Sequence, residues 1–536
     1  MLLFFCSSLL SEERIFPMEK YKRRDFLRMT CAGSAALLMP FDIAKAQSVG
    51  NPDSRPNILY IMSDDHSAYF LGDQLSRFGI PDVTDLTPNI NRLISEGMYF
   101  NNSFCTNSLC GPSRAVLLTG KYSHVNGKLT NQDNFDQSQT TFPKLLYAAG
   151  YQTALFGKWH LGHGGSYDPQ GFTYWKVIRN QGAYFNSPMY EKGIPDKQTW
   201  PGYVTDAISD DAVTWIENRD PDTPFCLMVH NKAPHAKWQP APRHESLFDS
   251  DTLPEPTTFN DDYSNRADPI EMSPNKMYPK MVNSWVSFGS KYGKEPLPPG
   301  LTPQEQKEWV YQQYAKDYMR VLKAVDDNVG KLLDCLDAEG IADNTIVIYT
   351  SDNGMYVGEH GLMDKRFMYE QGLRIPLIVR YPGAIAAGST TDRFSLNVDY
   401  APTILDFAGV SIPADIQGKS LRTILEGGTP SEWRTSLYNQ YFEYPEGPGV
   451  VRHYGLRTER YKLIHFYPHT ENPDMDQWEL FDLSVDPDEM NSVYDNPAYA
   501  TVLKDLKDEL EALRRQYECT EPELKDPTRA RYWEMY

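Results

Sequence analysis

Short apolar runs alternate along the chain with segments of helical periodicity. Continuous apolar runs bounded by polar residues are typical of buried strands. The clearest runs are Asn57–Met62 (NILYIM), Gln152–Phe156 (QTALF), Pro224–His230 (PFCLMVH), Thr345–Thr350 (TIVIYT) and Pro376–Tyr381 (PLIVRY). Strands that alternate with helices predict an α/β fold, in which a large, mainly parallel sheet is flanked by helices.

Two helices have recognisable ends. A polar residue, Thr87, precedes Pro88, and Gly97 follows the periodic segment, which predicts a helix between them. An amphipathic segment runs from Asp326 to Gly340 and predicts a second helix that ends on the glycine. Residues 236–305 are rich in Pro and Asp and have little periodicity, which predicts a long surface insertion that shapes a substrate cleft.

The pattern changes after about residue 430. Four short apolar segments follow at hairpin spacing, namely SLYNQYF, VVRHYGLRT, RYKLIHFY and WELFDL, and a charged helix is predicted over Tyr499–Cys519. Short strands at this spacing favour a small antiparallel sheet with one packed helix. We therefore divide the chain into a large α/β domain over residues 47–430 and a C-terminal α+β subdomain over residues 431–536.

Composition and charge restrict the partners of the protein. The chain has 536 residues, 40% of them hydrophobic, and a formal net charge of -20. Nucleic acid is excluded as a partner because phosphate binding needs a basic surface. No apolar stretch of about 18 residues occurs, which argues against a membrane span. A small anionic substrate would need local cations or a metal ion to overcome the global field.

Residues 1–46 resemble a twin-arginine export signal, with Met18 as a candidate true start. Arg23 and Arg24 precede a modest apolar run, and Ala44-Lys45-Ala46 fits a small-x-small cleavage site. The alternative is a disordered basic tail. The signal predicts an exported protein, periplasmic or secreted, that uses the twin-arginine translocase. Five of the seven cysteines lie outside this segment, so at least one remains unpaired in a compartment that permits disulfides.

Polar clusters follow four of the predicted strands. They are Ser63-Asp64-Asp65, Gly157-Lys158-Trp159-His160, Asn231 with Pro234-His235, and Ser351-Asp352-Asn353-Gly354. Ligands of open α/β sheets bind at the carboxyl ends of the strands. If the strands are parallel, these clusters converge at one edge of the sheet.

Two of these clusters supply oxygen ligands. Asp64, Asp65, Asp352 and Asn353 offer an all-oxygen site for a hard divalent cation such as Ca²⁺, whereas Zn²⁺ favours His and Cys ligands. Taken alone, each acidic pair has the alternative of a cap or a turn. The basic residues Lys158, His160, His235 and Lys365 become catalytic candidates only if they also converge on this edge.

The segment Ser108–Gly120 (SLCGPSRAVLLTG) places Cys110 where a helix begins, four residues before Arg114. A buried thiol in this position is ordinary packing. A thiol at a helix N-terminus beside an arginine instead lies in a field that favours anions. The residues alone leave both readings open.

The complete set of motifs resembles the formylglycine-dependent sulfatases of the alkaline-phosphatase superfamily. Their signature, C-x-P-S-R with a Leu-Thr-Gly ending, is present at Cys110–Arg114 and Leu118–Gly120, and Gly157–Gly162 matches their second motif. The Asp-Asp, Pro-His, Asp-Asn-Gly and Lys365 elements follow in the order of the family over residues 55–480. The combination is far more specific than C-x-P-x-R alone. It implies an alkaline-phosphatase-like fold and a catalytic domain over residues 47–430.

The resemblance also implies a mechanism. A maturing enzyme would oxidise Cys110 to formylglycine, which with Asp64, Asp65, Asp352 and Asn353 would bind one Ca²⁺ ion. Arg114 would steady the hydrated aldehyde, which would attack the sulfur of the ester. The remaining roles fall to four residues. Lys158 and the metal ion would polarise the sulfate oxygens, Lys365 and His235 would hold the sulfate and assist departure of the alcohol, and His160 would remove a proton to release sulfate.

Several segments are similar to bacterial sulfatases of complex polysaccharides. The implied substrates are sulfated algal glycans such as ulvan or carrageenan, or glycosaminoglycans. Arg452 and His453 lie on a predicted strand near positions that line the substrate pocket in the family, and their alternative is a solvated edge strand. The alternatives for the whole protein are a phosphate or phosphonate ester hydrolase of the same superfamily and a non-catalytic glycan-binding protein.

Overall fold

The computed structural model of the chain describes residues 55–289, 294–445, 447–469 and 472–519. The predicted export signal at residues 1–46 lies outside them. The strands are β1 (Asn57–Asp64), β2 (Met98–Phe100), β3 (Ser103–Phe104), β4 (Gln152–Lys158), β5 (Tyr174–Ile178), β6 (Phe185–Glu191), β7 (Ile194–Tyr203), β8 (Phe225–Pro234), β9 (Thr345–Ser351), β10 (Tyr356–Val357), β11 (Met363–Asp364), β12 (Leu377–Arg380), β13 (Ser389–Thr391), β14 (Ser395–Leu396), β15 (Ser436–Tyr441), β16 (His453–Thr458), β17 (Tyr461–Phe466) and β18 (Gln477–Asp482).

Helices separate most of these strands. They are α1 (Pro81–Thr84), α2 (Pro88–Glu96), α3 (Cys110–Thr119), α4 (Ser123–Asn126), α5 (Phe142–Ala148), α6 (Val204–Glu217), α7 (Asp268–Met272), α8 (Val282–Gly289), α9 (Pro303–Ala338), α10 (Glu370–Leu373), α11 (Tyr400–Phe407), α12 (Arg422–Leu425) and α13 (Ala500–Gln516). Within the described residues, no helix combines the length and the apolar character that a membrane span requires.

Ten strands form one large sheet in the order β13-β2-β12-β9-β1-β8-β4-β5-β6-β7. The five central strands, from β9 to β5, are all parallel. Antiparallel pairs flank them, because β12 runs against β9 and β2, and β6 runs against β5 and β7. The predicted strand Pro376–Tyr381 therefore exists as β12 but has the opposite direction from its neighbour. The prediction of a mainly parallel sheet flanked by helices is confirmed.

Two apolar layers hold this sheet in place. Side chains alternate between the two faces of a strand, so Tyr60 and Met62 of β1 face one layer, while Leu59 and Ile61 face the other. Helices α3, α5 and α11 contribute to the first layer, and α6 and α9 contribute to the second. Because both faces of the sheet are covered, polar side chains can reach solvent at the ends of its strands.

The predicted helix over Asp326–Gly340 ends where expected but begins far too late. Helix α9 spans 36 residues from Pro303. Its start is fixed by Thr302, whose hydroxyl accepts a hydrogen bond from the Glu305 amide at 3.3 Å, while the Thr302 amide donates to the Glu305 carboxylate at 2.8 Å. This reciprocal capping begins the helix at the end of the predicted insertion, well before Asp326.

The insertion over residues 236–305 is only partly a surface feature. It contains α7 and α8, and Trp238, Phe259 and Trp285 are buried in the apolar layer that α9 also lines. Asn275 contacts the small β10–β11 sheet, since its side-chain amide donates to Asp364 at 3.0 Å. A role in shaping a substrate cleft stays a prediction.

The C-terminal region forms a four-stranded antiparallel sheet, β15-β16-β17-β18, against which α13 packs. This architecture confirms the prediction. Strand β16 is interior, so the alternative of a solvated edge strand at His453 is wrong. The described residues belong to one compact unit, and residue 430 marks a change of architecture within it. The division into functional domains stays a prediction.

Candidate active site

The predicted polar clusters meet at the carboxyl ends of four of the five central strands, namely β1, β4, β8 and β9. Asp64 ends β1 and Lys158 ends β4, whereas Asp352 and His235 follow β9 and β8. The parallel register explains the convergence, because Ser63 pairs with Ser351 and Asp64 pairs with Pro234. Carboxylate oxygens of Asp64, Asp65 and Asp352 lie within 4.8 Å of one another.

Arg114 ties two of these strand ends together from helix α3. Its Nε and Nη2 atoms donate to Asp352 Oδ2 at 3.0 and 2.8 Å, and its Nη1 atom donates to the Lys158 carbonyl at 2.8 Å. The guanidinium is 1% exposed, so these contacts are made without competition from water. The predicted role of Arg114 towards residue 110 remains a prediction.

Two buried lysines face the acidic residues. Lys158 Nζ donates to Asp64 Oδ2 and, at 2.6 Å, to the side-chain oxygen of Gln181. Lys365 Nζ donates to Asp65 Oδ1 at 2.5 Å. With Arg114, the cluster therefore contains three carboxylates and three permanent cations. A divalent ion would leave this site with an excess of positive charge in a protein whose net charge is -20.

The oxygen atoms of this cluster fit a hard divalent cation. Asp64 Oδ1 and Asn353 Oδ1 are buried, and neither accepts a hydrogen bond from any described residue. Burial and the nearby charge of Asp64 raise the pKa of Asp352 to about 7. Closely packed carboxylates repel one another. A metal ion offsets this repulsion when it binds the oxygens that accept no hydrogen bond. The structure thus presents a candidate acidic metal site.

Cys110 is the first residue of α3 and is 1% exposed. Burial raises the pKa of its thiol to about 12, even though the ammonium groups of Lys158 and Lys365 act in the opposite direction. The Cys110 sulfur, an Asp64 oxygen and a His235 nitrogen lie within 4.8 Å of one another, so position 110 directly adjoins the acidic cluster.

The two predicted catalytic histidines are partly buried. Burial, followed by the charges of Lys158 and Lys128, holds the pKa of His160 well below its usual value. Burial also lowers the pKa of His235. His235 Nε2 lies 3.7 Å from Asp65 Oδ2, whereas its Nδ1 atom lies 3.0 Å from the Ala236 carbonyl.

The sequence analysis missed two polar residues at this site. Gln181 follows β5, accepts a hydrogen bond from Lys158, and approaches His160 Nε2 at 3.4 Å. Lys232 lies inside the buried strand β8 and is 2% exposed. Lys232 directly follows His230 and Asn231, and Gln181 lies in a polar turn after the unassigned strand at Tyr174–Ile178, so neither residue stands out from its polar neighbours.

The structure separates the two predicted specificity residues. His453 is fully buried and stacks against Phe367 and Tyr441, with ring centres 5.8 and 5.4 Å apart. Arg452 is partly exposed and donates to the Tyr444 carbonyl at 2.9 Å. Adjacent side chains of an extended strand point to opposite sides, so Arg452 is the better candidate for substrate contact. For both residues, contact with substrate stays a prediction.

A mixed α/β sheet with this set of acids, cations and a buried cysteine at its carboxyl edge defines an ester hydrolase of the alkaline-phosphatase superfamily. The model of the sulfatase family matches residues 56–410, and the model described as "N-sulphoglucosamine sulphohydrolase, C-terminal" matches residues 358–516. The chain therefore belongs to the sulfatase family and is a sulfuric ester hydrolase.

Individual relatives are similar to this chain over most of its length. The chain is 41% identical to an N-acetylglucosamine-6-O-sulfatase of Bacteroides thetaiotaomicron, over 96% of this chain and 97% of the relative. It is 30% identical to the human N-acetylglucosamine-6-sulfatase, over 77% of this chain and 72% of the human protein. A protein solved with its substrate D-glucosamine-2-N,6-O-disulfate is 42% identical and superimposes with a TM-score of 0.80, covering 88% of this chain and 100% of that protein.

Proposed function

We propose that this sulfatase removes the sulfate ester from O6 of a glucosamine residue in a sulfated glycan. The observation that carries the proposal is the 41% identity over 96% of the chain to a relative named for this activity. The solved structure at 42% identity has a 6-O-sulfated glucosamine as its substrate. Among the substrates that the sequence analysis left open, a glycosaminoglycan is therefore favoured over ulvan or carrageenan.

We further propose that Cys110 is converted to formylglycine and that the acidic cluster binds Ca²⁺. The unpaired oxygens of Asp64 and Asn353 and the poorly acidic thiol support this proposal. The hydrated aldehyde supplies a nucleophilic hydroxyl, and the ion supplies positive charge for the sulfate oxygens.

The side chains of the chain itself perform the remaining tasks. Lys158 and Lys365 place two ammonium groups beside the acidic cluster, where they attract the anionic ester. His235 lies at the same edge. Its Nδ1–H is held by the Ala236 carbonyl, so the form that acts is the imidazolium, which gives its second proton, on Nε2, to the departing O6 oxygen. His160, beside Gln181 and Lys158, accepts the proton that must leave before sulfate is released.

The first test compares defined substrates. Protein produced together with a maturing enzyme is assayed on N-acetylglucosamine 6-sulfate, its 3-sulfate isomer, galactosamine 6-sulfate, and ulvan and carrageenan oligosaccharides. We expect the highest kcat/KM for the glucosamine 6-sulfate. A preference for an algal oligosaccharide would contradict the proposed substrate. Sulfate and phosphate esters of one alcohol, compared in the same assay, separate sulfatase from phosphatase activity.

The final part of the proposal concerns maturation and location. We propose that a maturing enzyme modifies Cys110 in the cytoplasm, and that the protein is then exported to the periplasm by the twin-arginine translocase. The support is Arg23-Arg24 and the Cys-x-Pro-Ser-Arg signature. The mass of the peptide that contains residue 110, measured on protein from a periplasmic fraction, tests both steps. An unmodified cysteine in exported protein would contradict the order of events.

A further inference from the structure

Lys232 is a buried cation with an unusual set of partners. It lies in β8, a strand whose residues are all buried. Its ammonium group donates to the Ala236 carbonyl at 2.8 Å and lies 5.0 Å from the centre of the Tyr184 ring. No carboxylate of a described residue forms an ion pair with it. Buried lysines normally have such a partner, so this one needs another explanation.

The carbonyl that binds Lys232 also binds His235. The Ala236 oxygen lies 3.0 Å from His235 Nδ1 and 2.8 Å from Lys232 Nζ. Since a carbonyl oxygen can only accept hydrogen bonds, His235 carries a proton on Nδ1, and its Nε2 atom remains directed towards Asp65. The position of this one carbonyl therefore sets both the tautomer and the orientation of the imidazole.

Tyr184 holds the same segment from the other side. Its hydroxyl donates to the His235 carbonyl at 2.5 Å, while its ring lies against the Lys232 ammonium group. Lys232 and Tyr184 thus hold two consecutive backbone carbonyls, those of Ala236 and His235, beside the His235 side chain. The next lysine along the chain, Lys237, is exposed.

We propose that Lys232 is a positioning residue that holds the Ala236 carbonyl and, through it, the His235 imidazole in the orientation from which Nε2–H, present once the ring has taken up a second proton from solvent, is given to the oxygen of the leaving alcohol. The inference rests on the role of His235 proposed above. Lys232 does not need to touch the substrate. A displacement of about 1 Å in such a group is enough to lower the rate about 100-fold, so loss of this anchor has a measurable effect without any change in binding groups.

The test uses the leaving group as its readout. A sugar O6 alcohol needs a proton when it departs, whereas 4-nitrophenol leaves readily as an anion. We expect Lys232→Met to lower kcat for the 6-sulfated sugar about 10- to 100-fold, to leave its KM nearly unchanged, and to have a much smaller effect on 4-nitrophenyl sulfate. Lys237→Met removes a neighbouring exposed cation and is expected to behave like the wild type on both substrates.

A double-mutant cycle shows whether Lys232 acts through His235. In a His235→Gln background the additional effect of Lys232→Met should disappear. Equal losses on both esters, or a Lys232 effect that persists without His235, would overturn the inference. If His235→Gln alone has no selective effect on the sugar sulfate, the proposed role of His235 fails first, and the inference falls with it.

A second variant keeps the test valid if Lys232→Met does not fold. Tyr184→Phe retains the ring beside Lys232 but removes the hydroxyl that holds the His235 carbonyl. We expect a smaller loss with the same dependence on the leaving group. A loss of equal size on both esters would contradict the proposal.

Discussion

Two buried clusters of charge in this molecule are built on opposite plans. The catalytic cluster consists of Asp64, Asp65, Asp352, Arg114, Lys158 and Lys365. The junction cluster consists of Glu370, Arg457, Lys462 and Glu489, and joins helix α10 to the C-terminal sheet. Both clusters are almost inaccessible to water. Their difference lies in which charges are adjacent.

In the junction cluster a cation separates the acids. Lys462 Nζ lies 3.0 Å from Glu370 and 2.5 Å from Glu489, and Arg457 approaches Glu370 at 3.2 Å. In the catalytic cluster, oxygens of three carboxylates lie within 4.8 Å of one another. Alternating charges favour a fixed structure, whereas clustered like charges indicate a site that binds another ion.

The largest expected effect is at the nucleophile. Cys110→Ala removes the side chain from which formylglycine forms, so we expect kcat to fall by about 10⁴-fold or more with little change in Tm. Steady-state kinetics and thermal unfolding measure the two quantities. Cys105→Ala, which changes another fully buried thiol, is the matched control and should keep its activity. Residual turnover by Cys110→Ala above one per cent of the wild type would contradict the role of Cys110.

The second largest effect is expected from removal of the metal ion, which the catalytic cluster binds and the junction cluster does not. Treatment with a calcium chelator is expected to lower kcat about 10³-fold and to lower Tm, and added Ca²⁺ should restore both. Asp64→Asn should abolish the dependence of Tm on Ca²⁺. Asp326→Asn alters a buried carboxylate that caps α2 through the Asn89 and Ile90 amides, and should destabilise the fold while keeping the response to the ion. Full activity in thoroughly chelated protein would remove the metal from the proposal.

The junction cluster should affect stability rather than turnover. Glu370→Gln leaves Arg457 without its carboxylate partner and Lys462 with Glu489 alone, so we expect unfolding to become easier by about 3 to 5 kcal/mol while kcat stays unchanged. Denaturant unfolding and kinetics of the same preparation test this. A large loss of kcat without a loss of stability would mean that the junction cluster takes part in catalysis.

The pH dependence of stability sharpens this prediction. Although burial acts in the opposite direction, Lys462, Arg457 and Arg374 hold the pKa of Glu370 well below its usual value. The stabilisation from Glu370 is therefore present above about pH 4.3, the value for the unfolded chain, and is lost as the pH falls. Glu370→Gln should flatten this acid limb of the unfolding curve. Burial raises the pKa of Glu489, so Glu489→Gln should leave the limb in place.

Four residues of the active site were predictable from the sequence because they follow apolar runs. Asp64, Lys158, His235 and Asp352 each lie at or just after the end of a central strand, and parallel strands bring their carboxyl ends to one edge. Gln181 follows a less regular strand, and Lys232 lies inside one. Neither position carries a local signal for chemistry.

The junction cluster and the edges of the sheet were not predictable in this way. Glu370, Lys462 and Glu489 come from segments far apart in sequence, and only the folded chain pairs them. The direction of β12 depends on its partners β9 and β2 rather than on its own composition. The helix predicted over Asp326–Gly340 was too short because the first half of α9 carries many charged and polar residues. The capping box at Thr302 was nevertheless a readable signal for the start of α9.

The smallest expected effect concerns Arg452, which directly precedes strand β16 of the C-terminal sheet. Because His453 is buried against aromatic rings, only Arg452 of this pair has an exposed side chain. If it contacts a sulfated sugar, Arg452→Ala should raise KM about tenfold, the usual contribution of one charged hydrogen bond, with kcat unchanged. Arg460→Ala, at the other end of the β16–β17 hairpin and paired with Asp482, is the control. An unchanged KM would confine Arg452 to holding the Tyr444 carbonyl and would place sugar recognition on other residues near the catalytic cluster.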